Sequence, residues 1–588
     1  MRIGLLTEGG YPYVGGDAGL WCDRLVRGLG QHEFDIYALS RTERQEDEGW
    51  IRLPPQVGRV RTAPLWTAPS DGVVHGRRAR RRFSEAYGEL AAAVCAGPEA
   101  GGREAVGGTE AAGDTAASVS LQADRFAGAL YGLAELARDE AGLVGALRSE
   151  SAVRALERAC RAPGALRSAR TARVPDLLTV AAHIERALRP LSLDWYEDDL
   201  LGSADLCHAA AGGGAALPGL LARHFFGVPL LVTEYGVQLR AHYLAAATLG
   251  EAPAVRALLA AFHGGLATEV YRAATLITPG NTHARRWQER CGADRAKLRT
   301  VHPGMEAARF ADVGEGVEGS RAADPDTLVW VGRVEPAKDL ISLLHAFAEI
   351  RKAEPKTRLR IVGAPAGGPD GVTYLAHCKA LAAQLFPDEA EGAHAVGENP
   401  VAFEEIGGPE IPSLAEAYAG GALVVLSSVV EGFPVSLVEA MLCGRATVST
   451  DAGAVVEVIG GTGLVVPPRN PRALAEACVA LLRDPERRER LGAAARARAL
   501  ELFTVEQNIA AFHGIYLEIV SHSPVSRVLV DGEGEPLPFG VPAEAHVPGR
   551  WTEPRLMSAG RPRWAEGAPV RATVPVPVPV AASVGEGA

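Results

Sequence analysis

SSVVEGFPVSLVEAMLCG, residues 427–444, follows an apolar run at 422–426. The run reads as a buried strand, which makes 427–432 the loop at its carboxyl end. Pro434 suits the first turn of a helix, where its missing N–H leaves no bond unmade. The helix is expected to reach about Cys443, with Gly444 as its left-handed cap. Glu431 falls in the loop just before this helix. Glu439 falls inside it, three residues after Ser436 and therefore on the same face. Such a junction presents free N–H groups and the positive end of a helix dipole, which suits an anionic or hydroxyl-rich ligand. Carboxylates placed there accept bonds from hydroxyls but repel phosphate, so cations from elsewhere must meet any charge on the ligand.

Working outward, strands are predicted at 327–333, 358–363, 393–397, 422–427, 446–450 and 463–466, with helices at 339–352, 372–386, 413–420 and 434–443. This alternation implies a parallel sheet covered on both faces. Gly332-Arg333 closes the first of these strands and Lys338 precedes the first helix. Both cations should project at the carboxyl edge of the sheet, the edge that carries Glu431. A lone Arg or Lys is most often a surface charge, but at this edge the two point to a phosphate-bearing ligand. Two such cations can replace a metal against a diphosphate. Helices follow at 471–483, 486–502 and 505–520, and the Pro- and Gly-rich tail at 521–588 is expected to be disordered.

The first half opens with a strand at 2–7, the loop GGYPYVGGDAGLW at 9–21, and a helix to about Leu29, the start of a doubly wound α/β domain. The loop is not G-x-G-x-x-G, and the next strand, 34–39, ends in Ser40 with no acid to hold a ribose, which disfavours a dinucleotide. Gly15 and Gly16 either let backbone N–H groups approach a phosphate or sugar closely or form a tight turn with Asp17 as helix cap. His208 ends a strand in ADLCHAAAGGGAAL, 204–217, where ligands of α/β sheets bind, although a satisfied structural histidine is also common there. PLLVTE, 229–234, is another strand, followed by Tyr235, Gly236 and Arg240. Two more are expected at Leu276–Pro279 and 298–303, with a linker at about 305–325. Residues 65–200 read as a helical insertion. RRARRRF, 77–83, opens a helix as a solvated face or a contact for an anionic surface. Residues 97–115 form a flexible segment, and 121–162 and 177–188 have helical spacing.

The totals exclude several classes. A net charge of −11 over 588 residues argues against nucleic acid. Eight singly placed cysteines without C-x-x-C fit a reducing cytoplasm and neither a zinc site nor a disulfide framework. The chain opens directly on a strand, so no secretory signal is expected. No apolar run reaches the ~18 residues of a membrane span, which leaves peripheral attachment open.

The second half resembles glycosyltransferase family 4, retaining enzymes of the GT-B fold. The matching residues are Gly332-Arg333 with Lys338, the E-x7-E pair Glu431 and Glu439, the A-M-x-x-G at 440–444, and Asp451-Ala452-Gly453; PGMEAARF at 303–310 looks like the family's interdomain segment. The first half is similar to the Pel-polysaccharide type glycosyltransferases through TEGGYPYVGG at 7–16, ADLCHA at 204–209, TEYG at 233–236 with Arg240, and VGRVEPAKD at 331–339. Tyr235 stands where that group usually has a histidine beside the donor sugar, so a hydroxyl is kept and a near-neutral titrating group is lost. Arg445 replaces a common proline.

The resemblance implies an α/β protein of two Rossmann-like domains facing across a cleft. Residues 1–305 would form the acceptor-side domain with its insertion, and 306–503 the nucleotide-sugar domain. A helix at 504–520 would return to the first domain. Arg333 and Lys338 would neutralise the diphosphate, and Glu439 would hold the ribose. Glu431, with backbone groups of Gly432 and Phe433 beside Pro434, would hold the sugar. Gly15, Gly16, His208, Tyr235 and Arg240 would complete the binding surface. No protein nucleophile is required and no D-x-D cation site is evident, so metal independence and no cofactor are expected. The implied partners are a UDP-sugar donor and an unidentified hydroxyl acceptor, in exopolysaccharide or glycoconjugate synthesis in the cytoplasm, including the inner face of the membrane. Rival readings are a sugar-nucleotide epimerase of GT-B-like fold, an NAD oxidoreductase and a non-catalytic nucleotide-sugar sensor.

Overall fold

The computed structural model describes residues 1–14, 17–67, 73–96, 110–248, 250–315, 324–387, 399–407, 411 and 413–523. Two six-stranded sheets organise them. The first contains β1 (Arg2–Glu8), β2 (Glu33–Ser40), β3 (Val57–Pro64), β4 (Leu206–Ala209), β5 (Leu230–Glu234) and β6 (Leu276–Pro279), in the order β3-β2-β1-β4-β5-β6. The second contains β7 (Asp324–Val331), β8 (Arg358–Val362), β9 (Val401–Glu404), β10 (Gly421–Leu426), β11 (Ala446–Thr450) and β12 (Leu464–Val466), in the order β12-β11-β10-β7-β8-β9. All pairings are parallel. Counted from its own first strand, each sheet has the doubly wound order 3-2-1-4-5-6. In this order the chain reverses direction across the sheet between strands 1 and 4, and the crevice at their carboxyl ends is where ligands bind. The two switch points are therefore β1/β4 and β7/β10.

The central strands form because their buried stretches are mostly apolar, as both faces are covered by helices. GALVVL of β10 is buried at every position. β3 escaped the sequence reading for the opposite reason: VGRVRTAP lies at a sheet edge, half-exposed and charged, so it carries no apolar run. The strand expected at 298–303 is not one. Arg299 and Val301 donate to the carbonyls of Ile277 and Pro279, but only a single bridge, Ile277 to Leu298, results. The strand expected at 393–397, the loop glycines Gly15 and Gly16, and the tail from 524 lie outside the described residues. So does most of the flexible segment, although its last residues already belong to the helix Glu110–Asp139.

The insertion shares the core of the first domain. Its helices Arg77–Cys95, Glu110–Asp139, Glu150–Arg161 and Val174–Leu188 contribute Tyr87, Leu133, Leu156 and Ile184 to one apolar cluster with Phe262 and Leu266 of the helix Pro253–Ala273. At the far end of the described chain, the helix Val505–His522 returns to the first domain and buries Phe512, Ile515, Tyr516 and Ile519 against Ile3, Leu5 and Leu25. The two crossings between domains are bonded to each other: Met305 N–H donates to the Phe503 carbonyl at 2.8 Å and Val505 N–H to the Met305 carbonyl at 3.1 Å. No described helix is long and apolar enough to cross a membrane.

Candidate active site

The β7/β10 switch point is built by two loops fastened together. After β7 the chain makes a short turn, Pro336–Lys338, and Asp339 in the left-handed region caps the helix Leu340–Ala353 through Ser342 N–H. After β10, the Ser427 hydroxyl donates to the Lys338 carbonyl at 2.7 Å, and Val429 N–H donates to the Ala337 carbonyl at 2.9 Å. Lys338 Nζ then lies 2.6 Å from Glu431 Oε2. The Ser428 hydroxyl donates to the same oxygen at 2.9 Å, and Gly432 N–H to Oε1 at 3.3 Å. Thr450 fixes this loop from β11 by donating to the Ser428 carbonyl at 2.6 Å. Gly453 is left-handed (φ +60°), and a Cβ there would collide with the Glu431 and Gly432 carbonyls, so this position demands glycine. The Lys338 and Glu431 side chains are only 16 % and 11 % exposed, which strengthens their mutual attraction over that of a surface pair. Arg333, at the end of β7, is exposed and makes no ion pair among the described residues.

The helix Val435–Leu442 follows with Pro434 as its N-cap, and Gly444 takes the left-handed conformation (φ +66°) just past its end. Glu439 on this helix is 8 % exposed. Its Oε2 accepts from the Tyr418 hydroxyl at 2.8 Å, and Oε1 has no partner among the described residues. Burial raises its pKa to about 7, against the Tyr418 bond and the attraction of Arg309 and Arg24. Phe433 packs against His302 (6.2 Å between ring centroids) and Phe503 (5.7 Å). Gly432 N–H is bonded to the carboxylate of Glu431, and Phe433 N–H has no backbone partner among the described residues.

Across the cleft, Arg240 of the helix Gln238–Thr248 donates to the Glu431 carbonyl at 2.9 Å, joining the first domain to the switch-point loop. Burial lowers the Arg240 pKa, opposed by Glu431. Tyr235 contacts the returning helix. Its hydroxyl accepts from Asn508 Nδ2 at 3.2 Å, its ring lies edge-on to Trp21 at 5.3 Å, and burial raises its pKa. Asn508 also donates to the His302 carbonyl at 2.7 Å and accepts from Trp21 Nε1 at 3.2 Å. Glu457 closes the same side by accepting from Thr282 N–H at 2.7 Å and from the Thr282 hydroxyl at 2.5 Å.

His208 is not placed to bind a ligand. It is fully buried, with Nδ1 bonded to the Tyr516 hydroxyl and Nε2 to Thr233 Oγ1, both at 2.7 Å, so neither ring nitrogen is left for a substrate. Burial drives its pKa down to about 3. It fastens the returning helix to β4. The structure thus gathers Lys338, Glu431 and Arg240 into one bonded group, leaves Arg333 exposed just after β7 and Glu439 beside Tyr418, and sets Tyr235 and His208 in contact with the returning helix. Ser428, Thr450, Asn508, His302 and Glu457 were missed. The hydroxyls look like ordinary loop and strand residues, and the others come from segments far apart in the chain.

Comparisons with known proteins agree with this architecture. Residues 325–484 match the family model "Glycosyl transferases group 1". The D-inositol 3-phosphate glycosyltransferase of Kineococcus radiotolerans is 35% identical over 223 residues, 35% of this chain and 49% of the relative. That of Kribbella flavida is 32% identical over 284 residues, 47% and 63% of the two chains. The chain thus spans about half to three-fifths of these relatives. Among solved structures, sucrose-phosphate synthase from Thermosynechococcus elongatus superposes with a TM-score of 0.51 at 17% identity, covering 89% of this chain and 100% of that one. HepE of Anabaena, in complex with UDP, superposes with a TM-score of 0.50 at 15% identity, covering 88% and 100%. The fold is GT-B. Residues 1–296 match a further model, half of the 588-residue chain, and the protein therefore belongs to the family described as "Domain of unknown function (DUF3492)".

Proposed function

We propose that the protein is a retaining glycosyltransferase that moves a hexose from a UDP-sugar to a hydroxyl acceptor, in exopolysaccharide or glycoconjugate synthesis. The carrying observation is the Lys338–Glu431 pair at the β7/β10 switch point, with Arg333, exposed just after β7, making no ion pair among the described residues. A diphosphate competes with Glu431 for Lys338. The cation exchanges a carboxylate for phosphate oxygens, and Glu431 turns to the sugar hydroxyls. Arg333 adds a second positive charge. As the bond from the anomeric carbon to phosphate breaks, negative charge grows on the leaving group, and both cations gain in strength. Charge-assisted bonds are worth about 1.5–3 kcal/mol each, and those that tighten in the transition state accelerate the reaction. The acceptor oxygen bonds to the same face of the sugar, and the departing phosphate takes its proton. The glycosyltransferase names of the curated relatives and the UDP in HepE support this reading.

The test is to incubate the protein with UDP-glucose and other nucleotide-sugars, with and without candidate acceptors. Free nucleotide that depends on an acceptor is expected; conversion of the donor without an acceptor would indicate an epimerase, and binding without turnover a sensor. Glu439→Ala is expected to weaken nucleotide binding about tenfold, since a carboxyl acceptor for the ribose hydroxyls is lost. Unchanged affinity by calorimetry would refute that role. We also propose that no metal takes part, because Arg333 and Lys338 supply the charge. EDTA is then expected to leave the rate unchanged, and activity lost to chelation and restored by a divalent cation defeats this part. The same reading places the protein in the cytoplasm at the inner membrane face, where the exposed Arg77, Arg78 and Arg80 suit an anionic surface.

A further inference from the structure

Cys95 ends the helix Arg77–Cys95, and Cys160 lies one residue before the end of the helix Glu150–Arg161. They are 65 positions apart in sequence, yet their sulfurs are 3.5 Å apart. That is direct contact, against the ~2.05 Å of a disulfide bond. The backbone holds the two helix ends together independently of the sulfurs. Leu166 N–H donates to the Cys95 carbonyl at 2.9 Å, and Ala96 bridges Ala165. Among the described residues, no other two cysteine sulfurs are in contact. Neither thiol takes part in the cleft.

We propose that Cys95 and Cys160 are a reversible thiol–disulfide pair that staples these two helices of the insertion. The oxidant is a small-molecule disulfide. The Cys160 thiolate attacks one of its sulfurs, forming a mixed disulfide and expelling one thiolate. Cys95, having lost its proton, attacks the Cys160 sulfur, forms the intrachain bond and expels the second thiolate. Two protein thiols are oxidised, the reagent is reduced to two thiols, and the two protons pass to the expelled thiolates. A dithiol runs the exchange backwards. Cys160 suits the first step: the hydrogen bond from Cys95, assisted by Arg161, lowers its pKa against burial, while that bond and burial raise the pKa of Cys95. Both side chains are buried, so exchange proceeds through local opening of these helix ends. The bond encloses the segment 96–159, including the helix Glu110–Asp139, and restricts the unfolded chain.

The full-length protein is to be treated with oxidised glutathione under native conditions, quenched by alkylation, unfolded and analysed by mass spectrometry. Of the eight thiols, two are expected to disappear together, with a crosslinked peptide joining Cys95 to Cys160 and a raised melting temperature, both reversed by dithiothreitol. Retention of all eight thiols, or glutathione adducts spread over other cysteines without that crosslink, overturns the proposal. Cys95→Ser and Cys160→Ser should each abolish the oxidant-dependent rise in melting temperature; a rise that persists in either also overturns it. The wild-type peptide analysis decides the matter even if a variant fails to fold.

Discussion

Replacing Lys338 with alanine is expected to lower turnover by about 100-fold or more, some 2.7 kcal/mol of transition-state stabilisation. Two losses act together. On the proposed mechanism, the cation that meets the growing charge of the leaving group disappears. Glu431, whose side chain is 11 % exposed, then keeps only the bonds from Ser428 and Gly432, so an uncompensated carboxylate faces the incoming diphosphate. The double variant Lys338→Ala/Glu431→Gln separates the two, because it removes the stray charge without restoring the cation. It should bind nucleotide better than the single variant while remaining slow. Acceptor-dependent nucleotide release gives the rates, and thermal melting checks that each variant is folded. A near-normal rate for Lys338→Ala removes Lys338 from the mechanism.

His208→Ala is expected to destabilise the protein by about 3 kcal/mol through lost ring packing and a stranded Tyr516 hydroxyl. The ring fills a space bounded by Trp21, Phe512 and Tyr516, so its removal loosens the returning helix. His208 also makes stability depend on pH. Its folded pKa, about 3, lies below the ordinary 6.5, so its contribution is present above pH 6.5 and is lost as pH falls towards 3. At pH 5 about 1.5 units of this window have been crossed, worth about 2 kcal/mol. The stability gap between wild type and His208→Gln should therefore narrow by about that amount between pH 7.5 and pH 5 in denaturant melts. His32 and His263, each held near pKa 4 by burial, titrate in both proteins and cancel in the difference. A gap that stays constant shows that His208 is not held neutral by the fold.

The group Arg333, Lys338 and Glu431 was legible because its members sit on short loops directly after strands with apolar ends. β10 announces itself as an uninterrupted apolar run, GALVVL, and the observed Ala446–Thr450, although three of its five residues are Thr or Ser, coincides with the strand expected there. Once a parallel sheet is inferred, Arg333, Lys338 and Glu431 must share its carboxyl edge, whatever the details of packing. His208 was misread by the same logic. Position at a strand end states where a residue is, not whether a helix some 300 residues later covers it. Tyr516 does cover it, and nothing local to ADLCHA carries that information.

What the sequence determined by itself was the strand–helix rhythm, the doubly wound class of both halves and the edge on which the charged residues gather. These follow from periodicity and chain connectivity, which act over a few tens of residues. The tertiary structure alone decided which of those residues face the cleft. It joined Arg240 to the Glu431 carbonyl over 191 positions, set Asn508 beside Tyr235 and the His302 carbonyl, and brought Cys95 against Cys160. Each of these contacts depends on how helices dock onto sheets and domains onto one another, a matter of side-chain packing between distant segments that no local pattern encodes.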